Sequence, residues 1–210
     1  MKQFSFNNTL GLLVLFICSL IVVRVWYTNS MLYVFLGWNI FLAFIPYWIS
    51  GLLRKTNYPN WMKGIFFGTW LLFFPNALYI ITDLIHLKRE TIVPVWFDAT
   101  IIFSSAILGL IVAFISLYRV EEFLRLKLNR NKINIAIPFL LFLGSFGVYL
   151  GRFLRWNSWD ILQNPIGLIS TITNRFIFPL QHLRTCGLTF MLTTLFYLLY
   201  LVIKKLPVYI

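Results

Sequence analysis

Long apolar stretches alternate with short polar breaks along the whole chain. Runs near the roughly 20 residues that a helix needs to cross hydrocarbon fall at about 9–27, 31–53, 64–84, 96–118, 134–151 and 186–203. They are rich in Phe, Leu, Ile and Trp and lack the alternation of a membrane β-strand. The pattern predicts an all-α, polytopic transmembrane bundle of about six spans, a single integral membrane domain over 1–210, with no internal repeat and no soluble domain between spans. The stretch 166–180 differs. Its apolar positions Ile166, Ile169, Ile172, Phe176 and Leu180 share a helical face that Asn174 and Arg175 interrupt, which predicts a short interfacial helix instead of a seventh span.

Composition excludes a soluble domain: 60% of the residues are hydrophobic and 11% charged, with a mean hydropathy of +0.83. The start at Met1 and Lys2 followed by an apolar run has a signal-peptide look, but no small-residue cleavage motif follows and the run ends in Arg24-Val25-Trp26-Tyr27. A retained first span is expected. Cys18 and Cys186 form no CxxC, so neither a disulfide framework nor a zinc knuckle is readable. The net charge of +12 comes from basic residues scattered at span ends, the mark of membrane topology and not of nucleic-acid binding.

Placing the N-terminus in the cytoplasm puts 11 Lys and Arg inside and 7 outside, so both termini are expected to be cytoplasmic, with a dense basic loop at 119–132 as the firmest anchor. If 166–180 crossed, the balance would be 10 to 7 with Arg175 in the span. The six-span orientation sends the end of span three, the start of span four and the end of span five to one extracytoplasmic face.

Those ends carry the candidate chemistry. In FPNALYIITDLIHL at 74–87, Asn76, Tyr79, Asp83 and His86 stand at i, i+3, i+7 and i+10, a polar stripe on a helix. Ionisable groups in such a place are costly and mark a site by default. Pro75 removes a helical hydrogen bond and predicts a kink just before Asn76. Asp83 with His86 suits either an acid/base pair or two ligands of a divalent metal. His182 is the only other histidine, so a metal would also need Asp98 or Asp160. In GRFLRWNSWD at 151–160, Arg152 and Arg155 suit bidentate capture of an anionic group, with Asn157 beside them. The alternative is that the arginines pair with Asp83, Asp98 or Asp160 across the bundle. Gly144, Gly147 and Gly151 form a small-residue face for close helix approach. Most tryptophans sit near span ends as an aromatic belt would. No nucleotide, hydrolase or dinucleotide signature occurs.

The ordered set FPNALYIITDLIHL, PVWFD at 94–98 and GVYLGRFLRWNSWD at 147–160 resembles the family of bacterial predicted membrane proteins catalogued as domain of unknown function 1361. The resemblance covers most of the chain, although Leu78 stands where that family usually has proline. It implies a multi-pass protein of a bacterial inner or plasma membrane and supplies no activity.

The residues support an extracytoplasmic site for an anionic lipid or lipid-linked substrate. Asp83, His86, Asp98 and Asp160 are its candidate catalytic groups, and Asn76, Tyr79, Arg152, Arg155 and Asn157 its candidate binding groups. A small-solute or proton carrier and a structural assembly partner are the rival readings. Membrane lipids are the expected partners, with no nucleic acid and no soluble partner. No cofactor is predicted beyond the alternative of a divalent metal.

Overall fold

The structure is a computed structural model and describes residues 6–55, 57–88 and 92–206. Lys2 and Arg89, which enter the charge balance, lie outside the described residues. Every regular element among the described residues is helical: α1 (Phe6–Thr28), α2 (Val34–Leu53), α3 (Asn60–Tyr79) running straight into a 3-10 helix (Ile80–Lys88), α4 (Val95–Arg125), α5 (Arg130–Leu154), α6 (Asp160–Gln163), α7 (Pro165–Ile177), a 3-10 turn (Pro179–His182) and α8 (Leu183–Lys205). Six stretches are long and apolar enough to cross a membrane: Phe6–Thr28, Val34–Leu53, Asn60–Leu87, Val95–Arg125, Arg130–Leu154 and Pro179–Lys205. Five of the predicted runs lie within one of them, and 31–53 starts three residues ahead of Val34–Leu53. The chain is a helical bundle of the expected class.

The most buried span is α4. Its 31 residues extend about 46 Å at 1.5 Å per residue, so it overruns a hydrocarbon layer of about 30 Å. It touches α1, α2, α3, α5 and the 3-10 helix, while α2 lies along α3, and α5 along α3 and α8. Trp70, Phe74 and Leu78 of α3 and Ile101, Ile102 and Leu117 of α4 are fully enclosed between these elements. The outward faces carry exposed apolar side chains such as Leu15, Val22, Phe103 and Phe190, a surface suited to lipid and not to water.

The segment 119–132 is mostly helix, not loop. Arg119 and Arg125 ride the last turns of α4, Arg130 opens α5, and only 126–129 connect them. An apolar run ends at its first charges, but the backbone hydrogen bonds continue; Arg125 Nε donates to Glu121 Oε1 at 3.0 Å one turn back, which supports those turns.

The small-residue face of α5 meets α3. A Cβ on Gly147 would lie 2.5 Å from Pro75 Cγ, and one on Gly144 2.9 Å from the Phe74 ring, so both positions are occupied by the neighbouring helix. This close approach sets the end of α3 against the end of α5.

The stretch predicted as interfacial is α7. Asn164 caps it by accepting from the Gly167 backbone N–H at 3.0 Å, and Pro165 occupies its first position. Its 13 residues reach about 20 Å, short of the roughly 30 Å of a bilayer core. None of them is buried. The helix rests on α6 and on the turn after it, with the Phe176 ring 5.2 Å from that of Phe146 on α5.

Candidate functional site

At Ile80 the third span tightens from α to 3-10 geometry, and a 3-10 stretch of nine residues is unusually long. Three residues per turn eclipse side chains three apart. Asp83 and His86 therefore stand one above the other. The single polar stripe expected at α periodicity becomes two groups, Asn76 and Tyr79 on α3, and Asp83 and His86 on the 3-10 helix.

Asp83 is wholly buried and Arg152, from the last turn of α5, is its partner. Arg152 Nη2 donates to Asp83 Oδ1, Nε donates to Thr82 Oγ1 at 2.8 Å, and Nη1 lies 3.3 Å from His86 Nε2. The guanidinium carbon also sits 4.1 Å over the Tyr79 ring. Asn39 of α2 completes the carboxylate by donating Nδ2 to Oδ2 at 2.9 Å. A guanidinium only donates, so the Arg152 contact with His86 is a hydrogen bond when Nε2 carries the lone pair. Asp83 Oδ1 is 3.9 Å from that same nitrogen.

Asp98 belongs to a second pair. Arg24 of α1 holds it through Nε to Oδ1 at 2.6 Å and Nη2 to Oδ2 at 3.1 Å, a parallel fork with both residues almost fully enclosed. Tyr33 joins the two pairs. Its ring lies 4.2 Å from the Arg24 guanidinium carbon, and its hydroxyl donates to the His86 carbonyl at 3.4 Å. Sequence reasoning had used Arg24 only as a topology charge and had no reason to single out Tyr33. The available signal was an arginine inside the last turns of an apolar span.

Beside this network lies a half-open groove of about 480 Å³ between α2, α3, α5 and the segment 156–172. Leu42, Leu71, Leu143 and Leu168 line it with apolar surface; Asn39, Asn76, Tyr79, Asn157 and Ser158 supply the polar part. Pro75 has no N–H for the Leu71 carbonyl. At the neighbouring carbonyl, Leu72, Ser158 Oγ donates at 3.0 Å while accepting from Asn76 Nδ2 at 2.9 Å. That bridge fastens the 156–159 segment over the proline.

The remaining candidates are placed otherwise. Asp160 Oδ2 accepts from the Asn157 backbone N–H at 2.6 Å and so closes its own turn. Arg155 ends α5 in the left-handed region at φ 61°, its backbone N–H donating to the Leu150 carbonyl; its exposed side chain makes no hydrogen bond or ion pair with the described residues. Arg152 and Arg155 diverge because the helix stops between them. His182 sits on the turn before α8, its Nε2 buried with no protein partner among the described residues. With Asp98 and Asp160 engaged elsewhere, Asp83 and His86 supply two donors. Among the described residues no group of three His, Cys, Asp or Glu side chains is gathered for a metal ion.

The family model described as protein of unknown function (DUF1361) matches residues 38–200. The chain belongs to that family. Neither a curated protein nor a solved structure matches it.

Proposed function

We propose, taking membership of this family as the premise, that the protein is a multi-pass protein of a bacterial cell membrane whose groove binds a lipid or lipid-linked molecule at the extracytoplasmic leaflet. Both termini are cytoplasmic in this reading, on the balance of 11 basic residues against 7. The observation that carries it is the groove itself: leucine walls beside a cluster of amide, phenol and hydroxyl groups at the polar end of three spans. Such a surface matches an amphiphile, with chains along the leucines and the polar part against the asparagines.

Arg152 is committed to Asp83, Thr82 and His86 and is not free to hold an anionic group, and Arg155, exposed next to the groove-lining Trp156, does not line the groove itself. Asp83, enclosed between Arg152 and Asn39, holds the wall of the groove in place. A divalent metal at Asp83 and His86 would have to displace the Arg152 guanidinium.

Gly68 lines the groove, and a Cβ there would meet nothing within 4 Å. The test is native mass spectrometry of detergent-purified protein. Lipid should stay bound to the parent chain and be lost from Gly68→Trp at unchanged melting temperature. Equal lipid retention by both would overturn the proposal.

A further inference from the structure

We infer that the polar part of the molecule in the groove is an uncharged, hydroxyl-rich head, a sugar or polyol, and not a phosphate. The inference rests on the lipid-binding reading and adds the chemistry of the head.

The orientation of three amides decides it. Asn39 Nδ2 faces the Asp83 carboxylate, which only accepts. Asn157 Nδ2 faces the Asp160 carboxylate at 3.4 Å. Asn76 Nδ2 faces Ser158 Oγ, whose proton is already given to the Leu72 carbonyl, so that oxygen must accept. Flipping any of the three amides would set two acceptors against each other. One N–H of each amide is thus committed to the protein, which fixes the direction in which its carbonyl oxygen points. The three Oδ1 oxygens are left without a protein donor among the described residues.

The lining of the groove presents these amide oxygens beside the second N–H of each amide, together with a Tyr79 hydroxyl that makes no hydrogen bond to the described residues, a mixed set of acceptors and donors. No Lys or Arg side chain lines it. A phosphate brings only acceptor oxygens and negative charge against these carbonyl oxygens, and desolvating it there without a cation in the lining is costly. Hydroxyl groups donate to every one of these oxygens.

The aromatic groups point the same way. Trp38, Trp156 and Trp159 all line the groove. The outward-facing Trp26, Trp61 and Trp96 are 80%, 66% and 69% exposed, whereas Trp156 and Trp159 are partly covered. Broad indole faces match the C–H faces of a pyranose ring, and the amides match its hydroxyls.

The experiment uses the full chain, purified in a detergent without a sugar head. Competition native mass spectrometry would compare monoglucosyl diacylglycerol, diacylglycerol, phosphatidic acid and phosphatidylethanolamine of identical chains. The glucosyl lipid should bind at least about ten-fold more tightly than phosphatidic acid or diacylglycerol, as expected for two or more net hydrogen bonds. Tyr79→Phe keeps the ring under Arg152 and should cut that preference about three- to ten-fold. Diacylglycerol binding and melting temperature should not move. Equal binding of all four lipids would overturn the inference and leave the lipid groove standing, as would preference for phosphatidic acid or for the ammonium of phosphatidylethanolamine. Binding of none would overturn both.

Discussion

Arg24 grips Asp98 in a two-pronged fork of 2.6 and 3.1 Å, tying the first span to the fourth where both residues are cut off from solvent. Removing the arginine alone strands a buried carboxylate. Arg24→Ala should destabilise the protein by about 3–5 kcal/mol, while Arg24→Met combined with Asp98→Leu should recover most of the loss. Thermal unfolding of the detergent-solubilised variants checks both, and a mild effect of Arg24→Ala would mean that water reaches Asp98.

Arg152 presents a different balance, because its three donor nitrogens meet three different partners. Arg152→Gln should cost several kcal/mol, of the order of 3–5 for a broken buried pair. Neutralising the partner with Asp83→Asn should restore part of it. Arg152→Lys keeps the charge and loses the planar fork, so it should fall between the two. A variant Arg152→Gln that melts normally yet fails to retain lipid would instead make Arg152 a ligand contact.

At the opposite end of α4, Glu121 is buried among Lys204, Arg125 and Tyr200. The Tyr200 hydroxyl donates to Oε2 at 2.6 Å, linking α8 to α4. Tyr200→Phe leaves a charged acceptor short of a donor and should lower stability by about 1.5–3 kcal/mol. Phe196→Tyr cannot compensate from a different turn. The melting temperatures of the single and double variants are the readout.

The spans were legible because hydropathy averaged over about 20 residues is insensitive to any one side chain. Gly144 and Gly147 were legible for a related reason, since glycines spaced on one helix face admit a close neighbour, whereas Gly151 on the same face has room for a methyl group. The sequence leaves Arg152 a choice of Asp83, Asp98 or Asp160, and packing of α5 against the third span pairs it with Asp83. The pairing of Arg24 with Asp98 was not legible, because the two residues are 74 positions apart and only tertiary packing brings α1 to α4. The switch to 3-10 geometry at Ile80 was also hidden: an i, i+3 pair such as Asp83 and His86 fits either helix. Glu121 disappeared into a segment read as a basic loop, though its spacing to Arg125 was that of a helical ion pair.

Gly147 and Gly151 separate close packing from simple helix propensity. A methyl group at Gly147 would strike the rigid Pro75 ring at 2.5 Å, whereas one at Gly151 meets ordinary contacts of 3.5 Å. Gly147→Ala should cost about 1–3 kcal/mol through overpacking. Gly151→Ala should be neutral or stabilising by up to about 1 kcal/mol, because alanine loses less backbone entropy in a helix. Paired unfolding curves distinguish the two sites.

The last prediction is that α7 does not cross the membrane, which would fix the side on which everything after it lies. Arg175 donates from Nη1 to the Thr171 carbonyl of its own helix at 3.0 Å and pairs with no carboxylate among the described residues, a poor arrangement for the middle of a bilayer. The helix is also too short, and its residues are not packed inside the bundle. In a background lacking Cys18 and Cys186, single cysteines at Leu126, His182 and Lys205 report the outcome with a membrane-impermeant maleimide. Only α5 separates 126 from 182 if α7 lies flat, so Leu126→Cys and His182→Cys should label from opposite sides, and Lys205→Cys from the side of Leu126→Cys. This comparison holds whichever way the N-terminus faces. Labelling of Leu126→Cys and His182→Cys from the same side would make α7 a seventh span and place His182 on the opposite face from the end of α5.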